Sequence, residues 1–342
     1  SVTSGLEEYD KRHGFREPEN ISRFFPTGFF DLSKDIKLLN IENSLRQDEE
    51  VFLNEATSLS SVFDYLDNFT ENKNRFLGVV TNIGGTLEFL TKSGEILEIP
   101  WTEKYSWARP YINENRRGAR PRGFEDILNL GDIVWFEKDS LTQTIELTQI
   151  PDAQSALISL DTQSGSILAL VGGYDFFLSK FNRADQASPL LGSNFKPFLY
   201  AAAFSDKFNA ASLINDAPII FDDEALEERW RPRNASGKFF GPTRLREGLL
   251  QSRNLVSVRL LRELGVDKVR SYSEKFGFDK QRLPADLSLS LGTASLNPLS
   301  NAAAYAVFAN GGKKVHPYLI TKILNRSGEI LFEKEVEDHK QV

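Results

Sequence analysis

Leu191-Gly192-Ser193-Asn194-Phe195-Lys196-Pro197-Phe198-Leu199-Tyr200 is the stretch on which the reading of this chain turns. Polar residues open it and an apolar run, 198–204, follows. That pattern predicts a buried helix with Ser193 and Lys196 in its first turn. Residues three apart share a helix face, so hydroxyl and amine are expected side by side. A serine hydroxyl becomes a useful nucleophile only when a neighbouring base takes its proton. A lysine can be that base when burial depresses its pKa. The N–H groups at the helix start supply a positive end suited to a developing oxyanion. The competing reading of the tetrapeptide by itself is an N-capping serine followed by a solvated lysine.

Working outward, residues 155–161 and 166–171 predict two strands joined at Gln163-Ser164-Gly165, a β-hairpin that ends at Gly172-Gly173. On the other side, helices are predicted over 243–250, 254–264, 266–276 and 298–310, the last stopped by Asn310-Gly311-Gly312. A final hairpin is expected over 318–324 and 329–334. Ser252-Arg253-Asn254 stands between two of these helices. A Ser-x-Asn there can bring a hydroxyl near Ser193 and Lys196, and an amide toward a substrate carbonyl or N–H. Either side chain can instead be a helix cap. A second Ser-x-Asn, Ser295-Leu296-Asn297, shows how common the pattern is.

The N-terminal half reads differently. Residues 1–20 are polar, and 31–70 mix acidic and apolar positions in a way that predicts helices with solvated charged faces. From Arg75 the period shortens. Strands are predicted over 76–83, 86–90, 95–99, 131–137 and 144–148, punctuated by Gly84-Gly85 and Ser93-Gly94. Five short strands with one irregular insertion suggest a small β-barrel of the oligonucleotide/oligosaccharide-binding (OB) kind. The insertion, 101–123, holds Trp101, Trp107, Tyr111 and five arginines (Arg109, Arg116, Arg117, Arg120, Arg122), and reads as a structural or partner-binding loop. Lys92-Ser93-Gly94 reads as a hairpin turn.

Composition narrows the classes. A net charge of −7 argues against a nucleic-acid partner, which needs a basic face. Cysteine is absent, which excludes disulfides and cysteine-ligated metals. His13, His316 and His339 lack metal-ligand spacing. No apolar stretch approaches the roughly 20 residues of a membrane span, and no signal peptide is visible. Methionine is absent even at position 1, so a fragment or a processed chain is expected.

At this point the sequence resembles a known family. The hairpin, Phe181-Asn182-Arg183-Ala184 and Gly192–Phe198 are similar to the transpeptidase domains of class A penicillin-binding proteins. So are Trp230-Arg231-Pro232, Gly241-Pro242-Thr243-Arg244-Leu245-Arg246, Ser252-Arg253-Asn254-Leu255-Val256, Leu291-Gly292-Thr293-Ala294-Ser295 and the run Tyr305 to Gly312. Gly5–Asp10 with Arg12-His13-Gly14 looks like the link that follows the glycosyltransferase domain of the 1a type. The resemblance implies an α+β fold: a penicillin-binding-protein/β-lactamase-like domain, with an antiparallel sheet and helices, plus the OB-like insert. It divides the chain into 1–74 (linker and helical segment), 75–150 (OB-like barrel) and 153–342 (transpeptidase).

The resemblance also implies roles: Ser193 as acyl-forming nucleophile, Lys196 as its base, Ser252 as proton relay and Asn254 as substrate positioner. No metal or cofactor is required by that scheme. The implied substrate is the D-Ala-D-Ala end of peptidoglycan stem peptides, and β-lactams would acylate the same serine. An outer-membrane or cell-wall activator is an implied partner of the OB-like domain. The parent would be anchored on the periplasmic side of the bacterial inner membrane. The family's third motif, Lys-[Ser/Thr]-Gly, has no match after Ser252 and is expected beyond Val342, which would leave this chain alone a poor catalyst. Two other functions compete: a related β-lactam sensor or β-lactamase, and a non-catalytic interaction fragment of a cell-wall synthase.

Overall fold

In the computed structural model the described residues are 1–21, 63–69, 71, 74–219 and 230–335. They divide into two units, Ser1–Ser155 with Tyr174–Lys180, and Ala156–Gly173 with Phe181–Val342. Most of the helical region expected over 31–70 lies outside the described residues. Its described end is a helical turn at 63–67.

The first unit opens with α1 (Val2–His13), capped by Ser1, and the short strand β1 (Glu19–Asn20). The five expected strands follow as β2 (Arg75–Ile83), β3 (Thr86–Thr91), β4 (Ile96–Pro100), β7 (Asp132–Lys138) and β8 (Ile145–Thr148). The insertion contributes a small hairpin, β5 (Tyr111–Asn113) and β6 (Arg116–Arg117). The sheet runs β1-β7-β2-β3-β4, antiparallel throughout, and β8 shares the outer edge of β7 with β1. Among the described strands none joins β4 to β1 or β8, so the sheet stays open rather than closing as a barrel.

Strand alternation explains why both faces are covered. Val80, Val134 and Phe136 point into one cluster with Phe89, Tyr105 and Phe124; Leu77, Val79 and Ile133 point into another with Leu66. Gly78 is placed by packing: a Cβ there would come within 2.6 Å of the Phe89 ring, which stacks on Phe136 at 3.6 Å between centroids. Most aromatic residues of the insertion belong to this core, whereas Tyr111 is exposed. Tyr105 is buried, and Trp101 and Trp107 pack against the same cluster. Arg109 and Arg120 are spent internally on the Gly118 carbonyl and Glu103. Lys92-Ser93-Gly94 is the β3–β4 turn, with Gly94 at φ 80°.

The second unit begins with the hairpin β9 (Leu157–Leu160) and β10 (Ile167–Val171). A 3₁₀ turn (Gly192–Phe195) leads directly into α2 (Lys196–Phe204). Then come β11 (Leu213–Asp216), β12 (Gly241–Arg244), α3 (Leu245–Leu250), α4 (Asn254–Leu264), α5 (Val266–Ser273) and α6 (Pro298–Ala309). A terminal hairpin pairs β13 (Lys322–Leu324) with β14 (Ile330–Glu333). The helix expected from residue 243 starts two residues later. Pro242 carries no N–H, Gly241 has φ 68°, and Thr243 and Arg244 pair with Ile214 and Leu213 as a strand.

Helix α2 is the centre of the second core. Phe198 is surrounded by Phe276, Phe278, Tyr305 and Phe308, with ring centroids 4.8 to 5.3 Å away. Edge-to-face packing of this kind adds to simple area burial. Phe198→Ala is expected to cost roughly 3–5 kcal/mol; urea unfolding checks this, and a loss below about 1 kcal/mol would show that the aromatic cluster does not hold α2.

Candidate active site

The turn that presents Ser193 is fixed from outside itself. Residues 189–192 run antiparallel to 292–296: Leu191 N–H donates to Ala294 O, and Gly192 N–H to Gly292 O, both at 2.9 Å. The backbones approach so closely that a Cβ on Gly292 would lie 1.8 Å from the Gly192 carbonyl oxygen. Gly292 also has φ 74°, a left-handed conformation that glycine adopts without penalty. Tyr305 ties the next residue by donating its hydroxyl to Asn194 O at 2.8 Å. In a 3₁₀ turn residues i and i+3 eclipse, so Ser193 lies over Lys196, the first residue of α2. Pro197 is tolerated there because first-turn N–H groups have no helical acceptor.

The two side chains meet different surroundings. Ser193 is exposed, whereas Lys196 is 1% exposed. An ammonium has three N–H donors, and Lys196 Nζ uses three: to Ser252 O at 2.8 Å, Ser252 Oγ at 2.9 Å and Asn254 Oδ1 at 2.8 Å. Ser252 Oγ in turn donates to Ser193 Oγ at 3.0 Å. The Lys196 backbone N–H donates to Ser193 O, but no hydrogen bond joins the two side chains directly among the described residues. The expected side-by-side pair is therefore a three-member chain with Ser252 in the middle. All three acceptors of Lys196 are neutral, and burial lowers its pKa to about 8. The neutral amine is thus within reach near physiological pH.

Ser252 owes its position to a helix ending. Its N–H donates to Leu249 O and the Arg253 N–H to Gly248 O, the two bonds of a Schellman motif closing α3. The left-handed residue of that motif is usually glycine; here it is Ser252, with φ 51°. Such a conformation costs a non-glycine residue roughly 1–2 kcal/mol. The amide of Asn254, the first residue of α4, is also fixed: Nδ2 donates to Arg233 O at 2.9 Å, which leaves Oδ1 facing Lys196. Ser193 N–H donates to no acceptor among the described residues.

All four residues singled out by sequence, Ser193, Lys196, Ser252 and Asn254, come together here. The second Ser-x-Asn does not: Asn297 caps α6 by accepting from Ser300 N–H. His13 bonds to Tyr9 O at the end of α1, and His339 lies outside the described residues. No metal-binding cluster is present among the described residues. Sequence reasoning did not find Arg233, whose contribution is a backbone carbonyl and leaves no residue signature. It also missed the Gly192–Gly292 contact, since either glycine alone reads as a turn.

Two family models match the chain. Residues 156–342 match the family model for the penicillin binding protein transpeptidase domain, and residues 46–153 match that for the penicillin-binding protein OB-like domain. The chain is 40% identical over 334 residues to penicillin-binding protein 1A of Pseudomonas aeruginosa, covering 97% of this chain and 36% of that protein. It is 36% identical to penicillin-binding protein 1A of Escherichia coli, again covering 97% of this chain and 36% of the relative. The crystal structure of penicillin-binding protein 1A from Haemophilus influenzae superposes with a TM-score of 0.71 at 30% identity, covering 99% of this chain and 44% of that one. The chain therefore spans little more than a third of the length of the curated relatives it matches.

The strained serine yields a test. Ser252→Gly relieves the left-handed strain but deletes the middle hydroxyl. The unfolding midpoint is expected to stay or rise, while serine acylation falls on the order of a hundredfold or more. A variant that acylates normally would remove Ser252 from the proton path.

Proposed function

The chain belongs to the penicillin-binding protein transpeptidase family, and from that premise we propose that it is the D,D-transpeptidase part of a class A peptidoglycan synthase, with Ser193 as nucleophile, Lys196 as base, Ser252 as relay and Asn254 as the substrate-positioning amide. The observation that carries this reading is the unbroken run of hydrogen bonds from Ser193 Oγ through Ser252 Oγ to a buried lysine with no counter-ion among the described residues.

With Lys196 neutral the run reverses polarity: Ser193 O–H donates to Ser252 Oγ, and Ser252 O–H to the Nζ lone pair. Ser193 Oγ bonds to the penultimate D-Ala carbonyl carbon as its proton passes to Ser252 and the Ser252 proton to Lys196. The developing oxyanion lies against the unengaged Ser193 N–H, where a fixed donor is worth most. Collapse breaks the peptide C–N bond, and the terminal D-Ala leaves with a proton returned along the same route. An amine of a neighbouring stem then attacks the ester; its proton follows the same path back to Ser193 as the cross-link forms. A β-lactam amide enters by the first step. The second N–H of Asn254 Nδ2 is the donor for a substrate carbonyl.

No helix among the described residues is long and apolar enough to cross a membrane. We place the site on the periplasmic side of the inner membrane, in an anchored parent. The OB-like unit holds none of the four residues and is assigned to contact with a cell-envelope activator.

The test uses the chain extended past Val342 to the length of its relatives. A fluorescent penicillin is expected to label Ser193. Ser193→Ala abolishes labelling, and Lys196→Met lowers it at least about a hundredfold with an unchanged or raised unfolding midpoint, because a buried charge is removed. An extended protein that never labels at Ser193 overturns the proposal.

A further inference from the structure

Asn234 is buried, 5% exposed, on the segment between β11 and β12, and its amide is fully engaged. Nδ2 donates to Asp216 Oδ1 at 2.7 Å and to Lys238 O at 2.9 Å; Oδ1 accepts from Leu255 N–H at 3.3 Å. Leu255 is in the first turn of α4, whose own N-cap, Arg253, makes no side-chain cap. Asn234 therefore caps α4 from a distant segment. The preceding carbonyl, Arg233 O, is the acceptor that orients the Asn254 amide.

We propose that Asn234, held by Asp216, is a positioning residue for acylation: it places the Arg233 carbonyl so that Asn254 turns Oδ1, rather than its NH₂, toward Lys196. This rests on the function proposed above. The argument is one of amide orientation. With Nδ2 committed to Arg233 O, Lys196 meets an acceptor; a flipped amide would aim N–H groups at the amine and open the donor set that aligns it with Ser252. Asn234 acts only through these contacts.

Asp216 supplies the second observation. It is fully buried, accepts from Asn234 with Oδ1, and its Oδ2 has no hydrogen-bond partner among the described residues. A carboxyl kept inside with half its acceptors idle is poor economy for stability alone. Its one side-chain bond among the described residues is the one that fixes Asn234. Of the other charged groups nearby, the Arg253 guanidinium lies over the Phe240 ring at 3.6 Å, Arg259 donates to Ala217 O and Pro218 O beside Asp216, and no carboxylate pairs with Lys196 among the described residues.

The experiment follows penicillin acylation of Ser193 between about pH 6 and pH 10 in the extended protein and three variants. In the wild type the rate rises as the lysine loses its proton. In Asn234→Ala the lysine loses an acceptor that favours its charged form, so the midpoint of the profile moves down by about half a pH unit or more, and the plateau falls on the order of tenfold. The swap Asp216→Asn with Asn234→Asp restores one donor and one acceptor across the same gap but leaves Lys238 O without its donor, so it moves the midpoint back toward the wild-type value. Asn234→Ser, which keeps an acceptor for Leu255 N–H, replaces Asn234→Ala if that variant does not fold, with a shift in the same direction expected. A midpoint unmoved in the folded variant, with only thermal stability lowered, overturns the inference while leaving the proposed function standing. A wild type that is not acylated at all overturns both.

Discussion

Lys196 is a buried amine that pairs with no opposite charge among the described residues, and much of the second unit is arranged around that fact. Its ammonium form is served by three neutral oxygens, enough to satisfy its donors but not to repay its desolvation. Burial therefore pulls its pKa from 10.5 to about 8, roughly 3 kcal/mol of preference for the neutral form relative to water. The sign for stability follows. Between about 8 and 10.5 the unfolded chain binds more protons than the folded one, so stability rises with pH across that window, and at lower pH the fold carries the penalty of a buried charge. A structure selected for stability alone has little reason to keep such a group, whereas the acyl transfer proposed for Ser193 would use it as a base.

The same opposition between stability and chemistry recurs around it. Ser252 occupies the left-handed position of a Schellman motif, where glycine would be less strained but would carry no hydroxyl. Asp216 leaves one oxygen unpartnered in the interior among the described residues. These costs are met by the aromatic cluster about Phe198 and by the backbone clasp of Gly192 on Gly292, which hold the start of α2. Ser193 can therefore sit exposed on a turn that is itself rigid, with the chemistry at the surface and its support in the core.

The sequence discloses this arrangement unevenly. Strong period-2 runs with glycine punctuation gave the five main strands of the first unit, because alternation and turn chemistry are local properties. The apolar run after Lys196 likewise located α2. Tertiary hydrogen bonding is not local. The strand at Thr243 and Arg244 forms because Leu213 and Ile214 lie opposite, and nothing within residues 241–250 announces that partner. The open edge of the first sheet is equally a matter of pairing between distant strands. At the site, the residue types were legible and their wiring was not. Three-residue spacing suggested a direct Ser193–Lys196 bond, but Ser252 lies between them, and a backbone carbonyl at Arg233 orients Asn254.

The central claim is that burial brings the Lys196 amine close enough to titration that a neutral fraction is present near physiological pH. It is measured most directly by the nitrogen chemical shift of Lys196 Nζ, titrated in protein carrying Ser193→Ala to prevent acylation and assigned by its loss in Lys196→Met. The account predicts a midpoint near 8. A midpoint at the ordinary lysine value of 10.5 would contradict it, because the amine would then be an ammonium with its donors filled and no lone pair for the proton of Ser193.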